Sequence, residues 1–255
     1  MKVITGNVTT CNGCLTAMEF DELDIIPAIK CPTCSKLIEV THPLPTIAID
    51  LNSKSWDEII EILKVKSGKA FSVGAKKNIT LKNGEEYAAQ ITHRKDKGII
   101  LNLLDLYGND DGVGRMAMNK SCTTKGGYAK TLVRAWLNNE FFELLPDDLA
   151  KYIIPTKIDV GNGEFLEDKV FIPSEYELHG RKIHAMYEEG EQFELYKEDW
   201  RNRIAGCRDS GYGRWQWTRS VASAEYFCYV GGSGCADYGG AVYERCLRPH
   251  FQIGI

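Results

Sequence analysis

Cys207-Arg-Asp-Ser-Gly-Tyr-Gly-Arg-Trp-Gln-Trp-Thr-Arg-Ser220, Val221-Ala-Ser-Ala-Glu-Tyr-Phe-Cys-Tyr-Val230 and Gly231-Gly-Ser-Gly-Cys-Ala-Asp-Tyr-Gly-Gly-Ala-Val-Tyr-Glu-Arg-Cys-Leu-Arg-Pro-His-Phe251 run almost to the end of the chain. Short aromatic and β-branched runs separated by Gly and Ser read as strands and turns. Tyr and Trp supply rigid amphipathic contact area, and Ser, Gly and Asp supply adaptable hydrogen bonding. That mixture is the chemistry of antibody paratopes. The plainer alternative is a Gly-rich hairpin region with an aromatic core.

Upstream of this stretch the pattern alternates between helix and strand. Ser55-Trp-Asp-Glu58 has the capping-box spacing and is followed by Ile59, Ile60 and Leu63 at helical intervals. Ile47-Ala-Ile-Asp50, Phe71-Ser-Val-Gly74, Ile79-Thr-Leu81 and Tyr87-Ala-Ala-Gln-Ile91 read as short strands, with Asn83-Gly84 as a hairpin turn. Ile99-Ile-Leu-Asn-Leu-Leu-Asp-Leu106 reads as a buried strand. Lys130 to Phe142 predicts a helix presenting Leu132, Val133, Trp136 and Leu137 on one face. Pro146 to Ile154 predicts a second helix, stopped by Pro155. Ser174-Glu-Tyr-Glu177 is another capping box. Asn109-Asp-Asp-Gly-Val-Gly114 lacks the spacing of a calcium loop and reads as a solvated turn. Glu188, Glu189, Glu191 and Glu194 read as a solvated acidic face.

The length of 255 residues admits one large domain or two smaller ones. Apolar content of 44% against 26% charged residues is ordinary for a globular protein. A net charge of −4 argues against a chain-wide grip on nucleic acid. No apolar run is long enough to span a bilayer, and the N-terminus has no apolar signal core. Synthesis in the cytoplasm is the expectation, and later association with a virion is compatible with it.

Nine cysteines are present, and four of them form Cys11-Asn-Gly-Cys14 and Cys31-Pro-Thr-Cys34. Two such knuckles with sixteen residues between them match zinc-ribbon spacing. Each tight turn aims two sulfurs at one ion, and two turns complete a closed tetrahedral thiolate site with bonds of roughly 2.3 Å. Four thiolates leave no open position for catalysis, so the expectation is structural zinc. Cys122, Cys228 and Cys246 read as small buried hydrophobes.

No Gly-rich phosphate loop, nucleophile elbow or helical pair of metal-binding histidines is present. His93, His179, His184 and His250 are scattered. The expectation is a protein without enzymatic activity.

Three segments together resemble a family. Trp217-Thr-Arg-Ser220 followed by Cys246-Leu-Arg-Pro249 resembles a "W-x-R-S … G-V-R-P" ending. Tyr128-Ala-Lys-Thr-Leu-Val-Arg-Ala-Trp-Leu-Asn-Asn-Glu-Phe-Phe142 resembles an "S-x-L-R-x-W-L-N-x-x-F" helix, and Asp168-Lys-Val-Phe-Ile-Pro-Ser-Glu175 resembles a "D-K-V-F-L-L-S" segment. These are similar to a bacterial and phage (including prophage) family of C-type-lectin-like domains, and to the variable proteins of diversity-generating retroelements. The likeness covers roughly Gly68 to Ile255, with Cys246 standing where Gly or Val is usual.

The resemblance implies an α+β fold, with a C-type-lectin-like domain (formylglycine-generating-enzyme-like) at 69–255. A zinc ribbon at 1–43 precedes it, with a linker and helix at 44–68 as a spacer or oligomerisation element. It implies ligand binding by variable positions Tyr212, Trp215, Ala222, Ser223, Tyr226, Gly231, Ser233, Cys235, Asp237, Tyr238, Tyr243 and Arg245 on one exposed surface. Phe227, Tyr229, Val230, Leu247 and Pro249 are then expected beneath it. The implied partner is a protein or cell-surface ligand, with homo-oligomerisation or virion attachment as the fitting assembly. The runners-up are a copper-dependent oxidase using two of Cys228, Cys235 and Cys246, and a prophage accessory domain with a fixed partner.

The knuckles generate a direct prediction. Elemental analysis of the purified chain will find one zinc, lost on Cys31→Ser substitution together with the heat resistance of the N-terminal segment. Full folding without metal contradicts it.

Overall fold

The computed structural model describes residues 7–10, 17–20, 28–30, 33, 37–39, 49–109, 111–208 and 212–255. The chain divides into two compact units, Met1–Ala48 and Ile49–Ile255. In the first, β1 (Asn7–Thr10) pairs antiparallel with β2 (Ala17–Phe20), and β3 (Ala28–Lys30) pairs with β4 (Leu37–Glu39). The four cysteines expected to bind zinc lie outside the described residues.

The second unit is mixed α+β. It starts with α1 (Trp56–Val65), whose capping box forms as its sequence dictates: Glu58 N–H donates to Ser55 Oγ at 3.2 Å and Ser55 N–H to Glu58 Oε2 at 2.8 Å. Trp56, Ile59, Ile60 and Leu63 are buried in the same core as the sheet residues Ile91, Leu101 and Phe251. The helix expected as a spacer within 44–68 is therefore part of the larger unit, because its apolar stripe has a core to cover.

β5 (Lys76–Thr80) and β6 (Glu86–Lys95) form a hairpin closed at Asn83-Gly84, where Gly84 takes the left-handed φ of +88° that glycine permits. β7 (Gly98–Leu103) lies beside β6 and is buried throughout. The last strand, β15 (His250–Gly254), pairs with β7 along one edge. Its other edge takes β8 (Ile153–Ile154) and β11 (Val170–Phe171), so the end of the chain is locked inside the sheet. β9 (Thr156–Asp159) and β10 (Phe165–Asp168) form a separate ribbon. β12 (Gln216–Val221), β13 (Tyr226–Val230) and β14 (Ala236–Gly240) make an antiparallel three-stranded sheet with β14 at its edge.

Several local expectations are corrected. Phe71 begins no strand; a one-turn helix at Gly68–Ala70 precedes it and its ring is buried in the core. The second helix is only α4 (Asp147–Ala150), because Ile153 and Ile154 pair with Ile253 and Gln252 instead of continuing it. The Lys130–Phe142 helix is α2 (Leu132–Trp136), a π-helical turn at Leu137–Phe141 and α3 (Phe142–Leu144). Its buried face is Val133, Leu137 and Phe141; Trp136 is half-buried and Leu132 is exposed. The wider turn is supported by Asn138 and Asn139, whose amides donate to the Arg134 and Ala135 carbonyls.

The motif residues are structural ties. Arg134 forks onto Asp168, and Asn138 bonds the backbone of Lys169 and Val170, fastening the helix to the start of β11. Arg219, 1% exposed, donates two 2.6 Å bonds to Glu177 and others to the carbonyls of Asp159 and Ile172. Glu177 is also the capping-box acid of α5 (Glu175–His179). Arg248, 2% exposed, donates to the carbonyls of Leu103, Leu104 and Asn202. Cys246 is buried beside Leu106, Ala205 and Cys207.

The acidic stretch after Tyr187 is not one solvated face. Glu191 pairs with His93 and Lys95, and Glu194 with Arg94. Glu189 is 2% exposed; it accepts from the Ser220 hydroxyl at 2.7 Å and lies 4.0 Å from Arg219. Burial, the dominant effect, pushes its carboxyl up from 4.5 to about 7. A folded value above the unfolded one makes its stabilising contribution complete below 4.5 and lost as pH rises through about 7. Glu189→Gln, measured by denaturant unfolding, will therefore gain on the wild type by up to ~3 kcal/mol from about pH 5 to about pH 8. A difference independent of pH contradicts this environment for Glu189.

Candidate ligand-binding face

The β13–β14 ribbon and its flanking turns carry most of the positions expected to contact ligand. The pairing places Phe227 opposite Gly239, Cys228 opposite Tyr238 and Tyr229 opposite Asp237. Phe227, Tyr229, Val230, Leu247 and Pro249 are all buried. Beneath the ribbon, Trp217 is fully buried and donates its indole N–H to the Met116 carbonyl at 2.8 Å.

Of the twelve expected contact positions, Tyr212, Trp215, Tyr226, Ser233, Cys235, Asp237, Tyr238 and Tyr243 are exposed, and Ala222, Ser223 and Gly231 are half-buried. Arg245 departs from the expectation: it is 7% exposed. Its backbone pairs with Met116 and draws its side chain inward, where the guanidinium lies 3.7 Å from the Tyr229 ring and 4.8 Å from that of Trp215.

These residues also do not share one surface. Successive strand residues point to opposite faces, so Asp237 sits on the Tyr229 side and Tyr238 on the Cys228 side. One group is Trp215, Asp237 and Arg245 around the Tyr229 ring. The other is Tyr226 and Tyr238, with ring centroids 5.6 Å apart, bordered by His184 at 5.1 Å from Tyr238. Tyr243 joins this second group, packing where a side chain on Gly240 would stand. His184 was not recognisable as part of a surface in the sequence, since no local pattern links it to β14.

Asp237 has a further role in the ribbon. Its carboxylate accepts from the Tyr229 hydroxyl at 2.7 Å and from the Tyr238 N–H at 2.8 Å. The Tyr229 hydroxyl is the main cause of its lowered pKa. By occupying an amide of the edge strand it blunts pairing with another chain.

The three cysteines of the oxidase alternative lie in different settings. Cys235 is exposed in the ribbon turn, Cys246 is buried beside Cys207, and Cys228 is buried near Glu175 and Glu189 with its thiol pushed strongly upward by desolvation. No group of three or more His, Cys, Asp or Glu side chains arranged to hold a metal is found among the described residues. His250 is fully buried between the Tyr196 hydroxyl and the Arg248 carbonyl, and burial drives it down to about 3, so it stays neutral as a core group. No helix among the described residues is long and apolar enough to cross a membrane.

The geometry predicts unequal sensitivity. Replacing Tyr212, Tyr226, Tyr238 and Tyr243 together by Ser will cost little, about 0.5 kcal/mol or less per site. Trp217→Ala will cost about 3–5 kcal/mol. Thermal unfolding of the two variants checks this, and comparable losses contradict the division between face and core.

Comparison with known proteins gives one match. Residues 100–255 fit the family described as "Domain of unknown function (DUF6273)". No curated protein and no solved structure matches the chain. The matched segment includes most of β7, the helix and β11 ties, the Arg219 and Arg248 anchors and the exposed ribbon, and it spans more than half of the sequence. The chain belongs to the DUF6273 family.

Proposed function

We propose that this chain is a non-enzymatic ligand-binding protein with a C-type-lectin-like domain, whose C-terminal ribbon is diversified by a retroelement. The observation that carries the reading is the separation of two residue sets in one short segment. The anchors Trp217, Arg219, Leu247 and Arg248 are buried, while eight of the twelve candidate contact positions are exposed between and around them. Exposed Tyr and Trp are the side chains most often found as binding hot spots. Enclosure of the C-terminal strand between β7 and β8–β11 supports the lectin-like architecture. The exposed residues fall in two patches, so the ligand contacts one patch or wraps the ribbon edge.

The N-terminal unit supports a zinc ribbon as an attachment module. Six residues connect β1 to β2 and six connect β3 to β4, and each connection carries its Cys-x-x-Cys at the first and fourth places. Equal hairpins with equal knuckles suit one tetrahedral zinc held by Cys11, Cys14, Cys31 and Cys34.

The test is in the DNA. The 3′ coding end will have a near-repeat close by, differing at adenines of the template and adjoining a reverse-transcriptase gene. Substitutions will concentrate at the exposed ribbon positions and spare the codons of Trp217, Arg219 and Arg248. A complete source genome without such a repeat overturns diversification and leaves a domain with a fixed partner.

A further inference from the structure

Arg245 is a buried cation that forms no ion pair among the described residues. It is 7% exposed, and its Nε is fully buried with no hydrogen-bond partner. Among the described residues its guanidinium makes no hydrogen bond and no ion pair, unlike Arg134 and Arg219, whose forks are filled by Asp168 and Glu177. Three rings surround it instead: Tyr229 at 3.7 Å, Trp215 at 4.8 Å and Trp217 at 4.9 Å from the guanidinium carbon to the ring centroid. Aromatic faces attract a guanidinium but satisfy none of its N–H donors.

The space for this side chain is provided by the partner strand. A Cβ on Gly239 would lie 2.4 Å from Arg245 Nη2 and 3.3 Å from Tyr229 Cε1, so a larger residue there would displace the guanidinium from its aromatic bed. Asp237, whose charge acts on Arg245, is engaged with the Tyr229 hydroxyl and the Tyr238 amide. Trp215, 56% exposed, provides contact area beside the unfilled fork.

We propose that Arg245 is a recognition site for a single carboxylate, supplied by a Glu or Asp side chain of a protein ligand. With Nε closed off, the two terminal nitrogens remain as a pair of parallel donors, and a carboxylate fills such a fork with two charge-assisted bonds. A lone guanidinium with Asp237 nearby suits a monoanion better than a phosphate dianion. Burial already disfavours the unpaired cation and lowers its pKa, so a bound carboxylate relieves a strain present in the free protein. The assignment rests on the reading of this region as a ligand-binding face and names the chemistry that one of its two patches selects.

The test follows the arginine Nε–H resonances of the full chain by 1H–15N correlation, with Arg245 identified by the signal missing in Arg245→Lys. The probes are acetyl-Gly-Glu-Gly-amide, its Gln counterpart and inorganic phosphate. The Arg245 signal will shift saturably with the Glu peptide, and the Gln peptide and phosphate will bind about tenfold more weakly or worse. Calorimetric titration of Arg245→Lys, at an unchanged thermal midpoint, will show a loss of about tenfold or more. Should that variant unfold, the Glu-against-Gln comparison on the wild type decides alone. No saturation with the Glu peptide, equal binding of the Gln peptide, or preference for phosphate overturns the proposal. The outcome is separable from the diversification reading: an adenine-directed repeat without carboxylate binding sinks only this site, and carboxylate binding without a repeat sinks only diversification.

Discussion

Arg219 is cut off from water, and the polar groups that bond its guanidinium come from Asp159, Ile172 and Glu177, well before it in the chain. Glu177 from α5 takes both arms of its fork, and the carbonyls of Asp159 and Ile172 each take one further donor. A buried pair like this contributes modestly to net stability, since desolvation offsets the Coulomb attraction. Losing either partner is a different matter, at about 3–5 kcal/mol, because it strands a charge. That asymmetry fixes register. The same Glu177 carboxylate caps α5 and pairs with Arg219, so the helix start, the end of β9 and β12 are tied together at one residue. Ser220 extends the tie, accepting from the Glu175 N–H and donating to Glu189.

The consequence for the ribbon is a scaffold whose anchors lie on β12 and on the approach to β15, away from β14. Arg248 ties the end of β7 and Trp217 ties Met116. β14 contributes Asp237 to internal bonding, while Tyr238 stands at the surface. Substitution of an exposed tyrosine there touches little that the fold needs. Arg245 is the exception in this region, with a charge taken into an aromatic bed but given no partner.

What could be read from the sequence was local. The Ser55–Glu58 and Ser174–Glu177 caps, the Asn83-Gly84 turn and the apolar run of β7 announce themselves within a few residues, because their physics is contained within those residues. Ile153 and Ile154 continue a helical pattern in the sequence but form a strand, because their partner is β15, far later in the chain. The same distance hid the burial of Glu189 and Arg245, whose surroundings come from Arg219 and Ser220 in one case and Tyr229 and Met116 in the other. The contact set was readable as a composition, but its division into two patches depended on strand register, which composition does not carry.

The buried network around Arg219 holds the fold independently of the exposed ribbon face. Amide hydrogen exchange along Gln216–Val221 tests it most directly, comparing the wild type with a chain carrying Ser at 212, 226, 238 and 243. The β12 amides will remain among the slowest in both proteins and exchange through global unfolding alone, their rates differing by no more than the small change in global stability. Fast exchange of β12 in the substituted chain, with β7 still protected, would contradict it.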